Sequence, residues 1–314
     1  MTLRIAIMAD ERGWHTRQLQ AALRARGALG RCVDLADCHI DTGVAWHGLV
    51  IPGFGRELPD AALVRGIAGG TFEQVTKRLG VLHGLRELGV PVYNDARAIE
   101  RSVDKSMTSL LLHAARIASP PTWATESAAH AQRIVMRESA AGHALVLKPL
   151  FGSQGKGLQL VGDVQGVHHA LPALDAAFGG LAYLQRFIAP AHPDLTQPGF
   201  DWRVLVVGGR ARTAMRRVST HWIHNVALGA RCEPAALVTP RVDAAEHAAC
   251  ALGMDYAGVD LMPSPTGVQV IEVNGVAAWH GLQRVTGFNI ARAIVDDLLD
   301  RRLQQAAPFA AQRA

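Results

Sequence analysis

The chain has 314 residues, of which 49% are hydrophobic and 19% charged, the balance of a folded protein with a sizeable core and not of a disordered one. Its apolar runs are strand-sized, the opening MTLRIAIMAD turns acidic after a few apolar residues, and Cys32, Cys38, Cys232 and Cys250 form no C-x-x-C pair. A membrane span, a signal peptide, a zinc knuckle and a disulfide framework are therefore not expected, and a cytoplasmic location is.

The net charge of +5 and pI near 9.3 raise nucleic-acid binding. The arginines are scattered, with no basic run interleaved with aromatics, so no nucleic acid is expected as a partner. The charge reads as solvated surface and as a field suited to an anionic ligand such as a nucleotide.

In chain order, a strand is expected over Leu3 to Met8 and a helix over His15 to Arg26. Strands follow over Arg31 to Leu35 and Gly48 to Ile51, then a helix over Phe72 to Leu88 and a strand over Pro91 to Tyr93. Strands alternating with helices imply βαβ units and a parallel sheet. Asp104 fits the N-cap of a helix reaching about Ile117, which Pro120-Pro121 ends. From Ala144 the rhythm becomes strand–turn–strand. Leu145 to Lys148 precedes Leu158 to Val161, Trp202 to Val207 turns at Gly208-Gly209 into Arg212 to Val218, and Ala257 to Met262 turns into Val268 to Val273. A closing helix is expected over Ile290 to Gln304. Ala189 to Phe200 is expected as a mobile insertion and the Ala-rich end as frayed. The fold class is α/β with α+β character.

Two stretches carry chemistry. KPLFGSQGKG, residues 148 to 157, places Gly152, Gly155 and Gly157 beside Lys148 and Lys156. Glycines that reach φ > 0, next to lysines, make a phosphate cradle, and they equally make a tight turn between strands. The loop is neither a Walker A motif, since Gly157 and not Ser or Thr follows Lys156, nor a dinucleotide fingerprint, since a strand and not a helix follows. The second stretch is IEVNG, residues 271 to 275. On a strand Glu272 and Asn274 share one face while Ile271 and Val273 face the core. A hairpin folded about Thr266 sets Asp260 opposite Glu272. Like charges directly opposed in a sheet destabilise it unless a cation lies between them. Two carboxylates and an amide oxygen suit Mg²⁺ or Mn²⁺ and not zinc, and magnesium usually completes its shell with water and substrate phosphates. Both stretches thus point to a nucleotide; the alternative for the second is a solvent-facing acidic strand.

Asp104-Lys105-Ser106, Lys148-Pro149 with Phe151 to Gly157, Gln185 to Ile188, Asp201-Trp202-Arg203, Met215 to Ser219 leading to Asn225, Gly258-Val259-Asp260 and Glu272-Val273-Asn274 resemble, in that order, the ATP-grasp superfamily. The resemblance is strongest to its RimK-like glutamate and amino-acid ligases and covers roughly residues 95 to 295. It implies an ATP-grasp fold behind an N-terminal parallel α/β pre-ATP-grasp domain. The division expected is 1–95 for that domain, 96–184 for a central subdomain with the glycine flap, 185–306 for a C-terminal subdomain with the metal site, and 307–314 for the tail. Lys105 and Lys148 would contact ATP phosphates beneath a flap of Gly152, Ser153, Gln154, Gly155, Lys156 and Gly157. Gln185, Arg186, Phe187 and Ile188 would form a hinge whose backbone meets the adenine. Asp260, Glu272 and Asn274 would hold Mg²⁺ (or Mn²⁺), and Arg203, Arg217 and Asn225 would face the reacting carboxylate and its acyl phosphate.

The activity implied is ATP-dependent carboxylate–amine ligation through an acyl phosphate, joining an amino acid such as L-glutamate to a small-molecule amine or cofactor precursor. The oligomeric state, homo-oligomer included, stays open. The alternative is an ATP-binding regulatory module without turnover. Arg65-Gly66, Gly70 to Gln74, Val92-Tyr93-Asn94 and Arg97 to Glu100 further resemble ATP-grasp proteins encoded beside tetrahydromethanopterin and methanofuran pathways. Two departures stand out. Gly275 to Leu282 brings Trp279 and His280 where small residues and proline are usual, and Val226 to Ala230, after His221, Trp222 and His224, lacks the usual arginine. Trp279 and Trp222 are read either as stacking on an aromatic acceptor or as core, and the histidines as packing or surface groups.

Overall fold

A computed structural model describes residues 2–44, 46–152, 155–164, 166–174, 178–188 and 198–305. The N-terminal unit is a four-stranded parallel sheet ordered Leu29–Val33, Arg4–Met8, Ala61–Val64, Val92–Tyr93. Along the first strand the side chains alternate faces. Ile5 and Ile7 join Leu19 and Leu23 of the helix Trp14–Ala25 on one side, and Ala6 and Met8 join Leu82 of the helix Phe72–Glu87 on the other. Ala61–Val64 is buried throughout, as a parallel strand covered on both faces must be. The run Arg31 to Leu35 is shifted to Leu29–Val33. The strand expected over Gly48 to Ile51 is present as Leu49–Val50, but it pairs with His39–Ile40 in a separate two-stranded ribbon, and Ala61–Val64, which was not expected, lies in the main sheet.

The second unit is a five-stranded antiparallel sheet ordered Val167–His169, Gln159–Val164, Leu145–Lys148, Ala182–Arg186, Thr122–Thr125. The helix Ala128–Ala140 covers it through Ala131, Ile134 and Val135. The third unit is another antiparallel sheet, ordered Arg231–Ala235, Arg210–Ser219, Gly199–Val207, Tyr256–Ser264, Gly267–Asn274. Val204, Val206, Val259, Leu261 and Val273 pack under the helix Thr239–Leu252. The opposite face is divided along its length. Leu205, Val207 and Tyr256 continue the core of the N-terminal unit, whereas Asp201, Arg203 and Asp260 stand beyond it. That division sets a row of charges beside a hydrophobic seam.

The expected helix at Asp104 runs Lys105–Ala114, its first N–H groups capped by the Asp104 carboxylate. A preceding helix, Ala96–Val103, capped by Asp95, was not expected, nor was Thr239–Leu252. The closing helix is α-helical over Ile290–Asp297 and widens to a π turn over Leu298–Arg302. Of the anticipated insertion, residues 189–197 lie outside the described residues, as does the tail; Gly199 and Phe200 already belong to the strand Gly199–Val207. No helix is long and apolar enough to cross a membrane among the described residues.

Candidate active site

A two-residue turn at Pro265-Thr266 closes the hairpin Tyr256–Ser264/Gly267–Asn274, pairing Ser264 with Gly267 and Leu261 with Val270. Continued without interruption, that register would set Asp260 opposite Ile271 and turn Glu272 to the other face. A β-bulge after Asp260 inserts one residue, so Asp260 stands opposite Glu272 as expected and Asn274 opposite Gly258. The extra residue is Ile271. It lines the cavity, correcting the expectation that it faces the core, while Val273 is buried as expected.

Four strands then build alternating charge on one face. Arg217 lies opposite Asp201, and Arg203 opposite Asp260. Arg217 Nε and Nη2 donate to the two Asp201 oxygens at 2.6 Å each, and Nη2 also reaches Asp260 at 3.1 Å. Arg203 Nε and Nη2 donate to the two Asp260 oxygens at 2.7 Å each. Such forked pairs fix guanidinium orientation as well as charge. Asp201, Arg217 and Asp260 are all at most 3% exposed. Burial raises Asp201 to about 6 despite the Arg217 fork. Burial acts on Asp260 in the same direction, but Arg203 and Arg217 together outweigh it and hold that carboxyl below its ordinary value.

Across the cavity stand the two expected lysines. Lys148, at the end of Leu145–Lys148, donates to Gln185 Oε1 at 2.6 Å. Burial lowers it to about 8; Glu272 opposes that shift and Lys105 adds to it. Lys105, in the first turn of its helix, donates to the carbonyls of Leu150 (3.2 Å) and Gly152 (2.9 Å), so it ties down the base of the glycine loop. Burial lowers it too, again against Glu272. Gly155 and Gly157 take φ of 71° and 74°. A Cβ on Gly155 would approach Ile223 to 2.8 Å, so the loop lies against the segment carrying Asn225. Lys156 lines the cavity, and Ser153 and Gln154 lie outside the described residues.

The remaining expected residues divide. Gln185 and Arg186 lie in the strand Ala182–Arg186, and Phe187 and Ile188 follow it on the cavity wall. Gln185 acts through its side chain on Lys148, while the Arg186 guanidinium turns to Glu138 at 2.7 Å. Asn225 reaches the cavity, its Oδ1 capping the short 3₁₀ helix Val226–Leu228 through Ala227 N. Trp222 lines the cavity with its ring edge-on to Phe187. Trp279 is 1% exposed and packs on Tyr256 and His15, which settles its two readings in favour of core. Sequence reasoning gave Gln185 only a backbone role at the adenine and gave Asp201 no role, although both stood inside the quoted motifs. The signal for Asp201 was the i, i+2 spacing to Arg203, which puts both on one face of a strand.

The N-terminal unit is tied to this centre through residues that had only an unexplained resemblance. Asn94 is fully buried and bonds the backbone of Asp255, Tyr256 and Gly275, on either side of the charged hairpin. Arg65 donates to Val276 O and lies over the Trp279 ring.

The donor set fits a hard divalent cation. Asp260 and Glu272 oppose like charges, and Asn274 donates its amide N–H to Gly258 O at 3.3 Å, which leaves its carbonyl oxygen as the acceptor. Among the described residues no group of three or more His, Cys, Asp or Glu is placed to hold a metal ion.

The RimK-like ATP-grasp domain model matches residues 102–298 and the RimK pre-ATP-grasp domain model matches residues 3–99. The chain is 31% identical over 307 residues to a tetrahydromethanopterin:alpha-L-glutamate ligase of Methanococcus maripaludis, covering 95% of this chain and 98% of that protein. It is 30% identical to a probable alpha-L-glutamate ligase of Vibrio atlanticus, covering 94% of each. Among solved structures it superposes on a RimK domain ATP-grasp protein of Sphaerobacter thermophilus with a TM-score of 0.64 at 23% identity, covering 93% of this chain and 98% of the other. It also superposes on the ATP-grasp ligase PsnB, complexed with a minimal precursor, Mg and ADP, with a TM-score of 0.68 at 18% identity, covering 96% and 98%. The chain belongs to the RimK-like ATP-grasp family, whose shared chemistry is ATP-dependent carboxylate–amine ligation.

Proposed function

We propose that the chain joins L-glutamate to a small cofactor-type molecule of the tetrahydromethanopterin class through an amide bond, using ATP and Mg²⁺ (or Mn²⁺). The observation that carries this reading is one cavity that holds Lys105 and Lys148 on one wall and Arg217, Asp260 and Glu272 on the other, with Arg203 forked to Asp260. The relatives named as glutamate ligases along nearly their whole length support the choice of amino acid.

A carboxylate is a poor electrophile, and transfer of the γ-phosphoryl group of ATP to it gives an acyl phosphate that an amine can attack, releasing phosphate and leaving ADP and an amide. Phosphoryl transfer asks a protein for position and charge more than for covalent help. Lys148, oriented by Gln185, and Lys105, braced on the loop carbonyls, supply positive charge to the phosphates. Arg203 and Arg217 face the oxygens on which charge develops. Asp260, Glu272 and the Asn274 carbonyl would hold the cation, which neutralises phosphate charge when bound. The glycine loop covers the centre and keeps water from the acyl phosphate. No Ser, Cys or His nucleophile is required, and His224, lowered to about 4 by burial and by Arg217, is unsuited to act as a base at neutral pH.

ADP release with ATP and Mg²⁺ across a panel of amino acids, with and without pterin- and amine-bearing acceptors, tests the proposal. Glutamate-dependent release with an amide product seen by mass spectrometry is expected. Nucleotide binding without release under every condition would favour a regulatory module instead.

A further inference from the structure

Two arginines face the reacting groups, and the structure holds them differently. Arg203 has one carboxylate, Asp260, on which both of its forked bonds are spent. Arg217 spends its fork on Asp201 and shares only one further contact with Asp260. For both guanidiniums the Nη1 edge has no partner among the described residues, and the Nη1 atoms are absent from the buried donors that lack one. Arg217 lines the cavity and presents its free edge there, whereas Arg203 does not line it and meets it only through Asp260. Asp201 itself stands two positions before Arg203 on the same strand, 3% exposed, with His224 Nδ1 at 3.9 Å behind it. It is directly opposite Arg217, whereas Asp260 is directly opposite Arg203 and beside Glu272.

Asp260 has two suitors. In the proposed function it belongs to the cation set, and with three of its roughly four lone-pair sites already taken by Arg203 and Arg217, a divalent ion drawing on both oxygens competes with the Arg203 fork. Asp201 forks Arg217 alone, and on its other side the strand pairing begins at Trp202 with Leu261, so no carboxylate or amide is set directly opposite it there. It is a carboxylate dedicated to one arginine.

We propose that Asp201 is a positioning residue that keeps Arg217 fixed whether or not the cation is present, while Arg203, held by Asp260 alone, is released toward the substrate when Asp260 engages the cation. The centre then contains one preset and one metal-gated guanidinium. Arg217 is aligned before substrate arrives, so its donor is available without reorganisation. Arg203 joins only in the metal-loaded state, which prevents an unmetallated centre from presenting its full positive charge to a carboxylate. The inference rests on the proposed assignment of Asp260, Glu272 and Asn274 to the cation.

Side-chain Nε–Hε resonances of arginine report the two forks directly in the full-length wild-type chain, assigned through Arg203→Lys and Arg217→Lys. The probe is Mg²⁺ with a non-hydrolysable ATP analogue, against the analogue alone. The expected result is that Mg²⁺ shifts the Arg203 Hε resonance and speeds its exchange with water, while the Arg217 resonance stays slow and in place. Equal perturbation of both, or of Arg217 alone, overturns the proposal. In Asp201→Asn, kcat should fall by about 10²-fold with KM for ATP and the affinity for Mn²⁺ held within about threefold, and Arg217 Hε exchange should become fast. A matching loss of Mn²⁺ affinity would make Asp201 a cation ligand, and unchanged kcat in a folded variant would make it structural only; either result refutes the role. If the wild-type chain shows no turnover with any amino acid, the proposed function fails, while the resonance experiment still decides how the two arginines are held.

Discussion

The two walls of the cavity solve opposite problems. The wall on the sheet of Gly199–Val207 is built from buried charges that satisfy one another at 2.6 to 2.7 Å across adjacent strands, on a framework of paired backbone. The wall on the sheet of Leu145–Lys148 ends in a glycine loop held at its base by two bonds from Lys105, with Phe151 between them 65% exposed. The first is rigid because each of its two arginines is forked by a buried carboxylate, and removing one member of a fork strands the other in a low-dielectric site. In the second, Gly155 and Gly157 sit at positive φ, where other residues would be strained. Stabilising developing charge calls for fixed donors and excluding water calls for a cover that opens, so the division matches what phosphoryl transfer needs.

The comparison breaks most severely at Asp260. Asp260→Ala leaves Arg203 without its fork and Arg217 short of one contact, and the account expects turnover to disappear together with a loss of roughly 3–5 kcal/mol in stability, read by chemical denaturation. Lys148→Ala lies on the opposite wall, where the buried partner left behind, Gln185, is a neutral amide and not a charge. ADP release should fall about 10²–10³-fold while the unfolding transition changes little. Gly155→Val forces a β-branched side chain into φ 71° and against Ile223. Strain of about 1–2 kcal/mol in the loop should lower kcat through impaired closure, with the far-UV spectrum and the affinity for Mn²⁺ unchanged.

pH separates the walls more gently. Lys148 titrates near 8 in the folded chain against an ordinary 10.5, so between those values the unfolded chain binds more protons. Stability of the ligand-free protein should accordingly rise with pH across that window, while affinity for ATP falls as the Lys148 charge is lost above about pH 8. Paired denaturation and nucleotide titrations from pH 7 to 10 would show the two trends running in opposite directions. The smallest effect on catalysis is expected at Trp279, outside both walls. Trp279→Leu should lower the melting temperature by loss of packing with KM for the acceptor unchanged, and a raised KM would return this residue to the acceptor site.

Much of this was legible in the sequence where local chemistry alone dictates structure. The Asp104 cap and the glycine loop follow from local chemistry, whereas the Asp260–Glu272 pairing was expected from a turn symmetric about Thr266 and is reached in the structure through a bulge. The β-bulge was not legible, since a two-residue turn fixes a register that only tertiary packing of Ile271 into the cavity explains. Ala61–Val64 was missed because four buried residues carry no periodicity to read, and its place was given to an amphipathic ribbon at the periphery. The roles of Gln185 and Asp201 depended on which strands lie side by side, and a hydrogen bond between residues 37 apart in the chain, like that of Lys148 to Gln185, has no local signature.

The most direct test of the centre is Glu272→Ala. Glu272 faces Asp260 but forks no arginine, so its removal takes away a cation ligand and a like-charge contact without stranding a buried partner. The account predicts an unfolding transition at or above that of the wild type, weaker binding of Mn²⁺, and loss of Mg²⁺-dependent ADP release by at least about 10²-fold. Full ADP release in a folded Glu272→Ala chain would contradict the assignment of this sheet face as the catalytic centre.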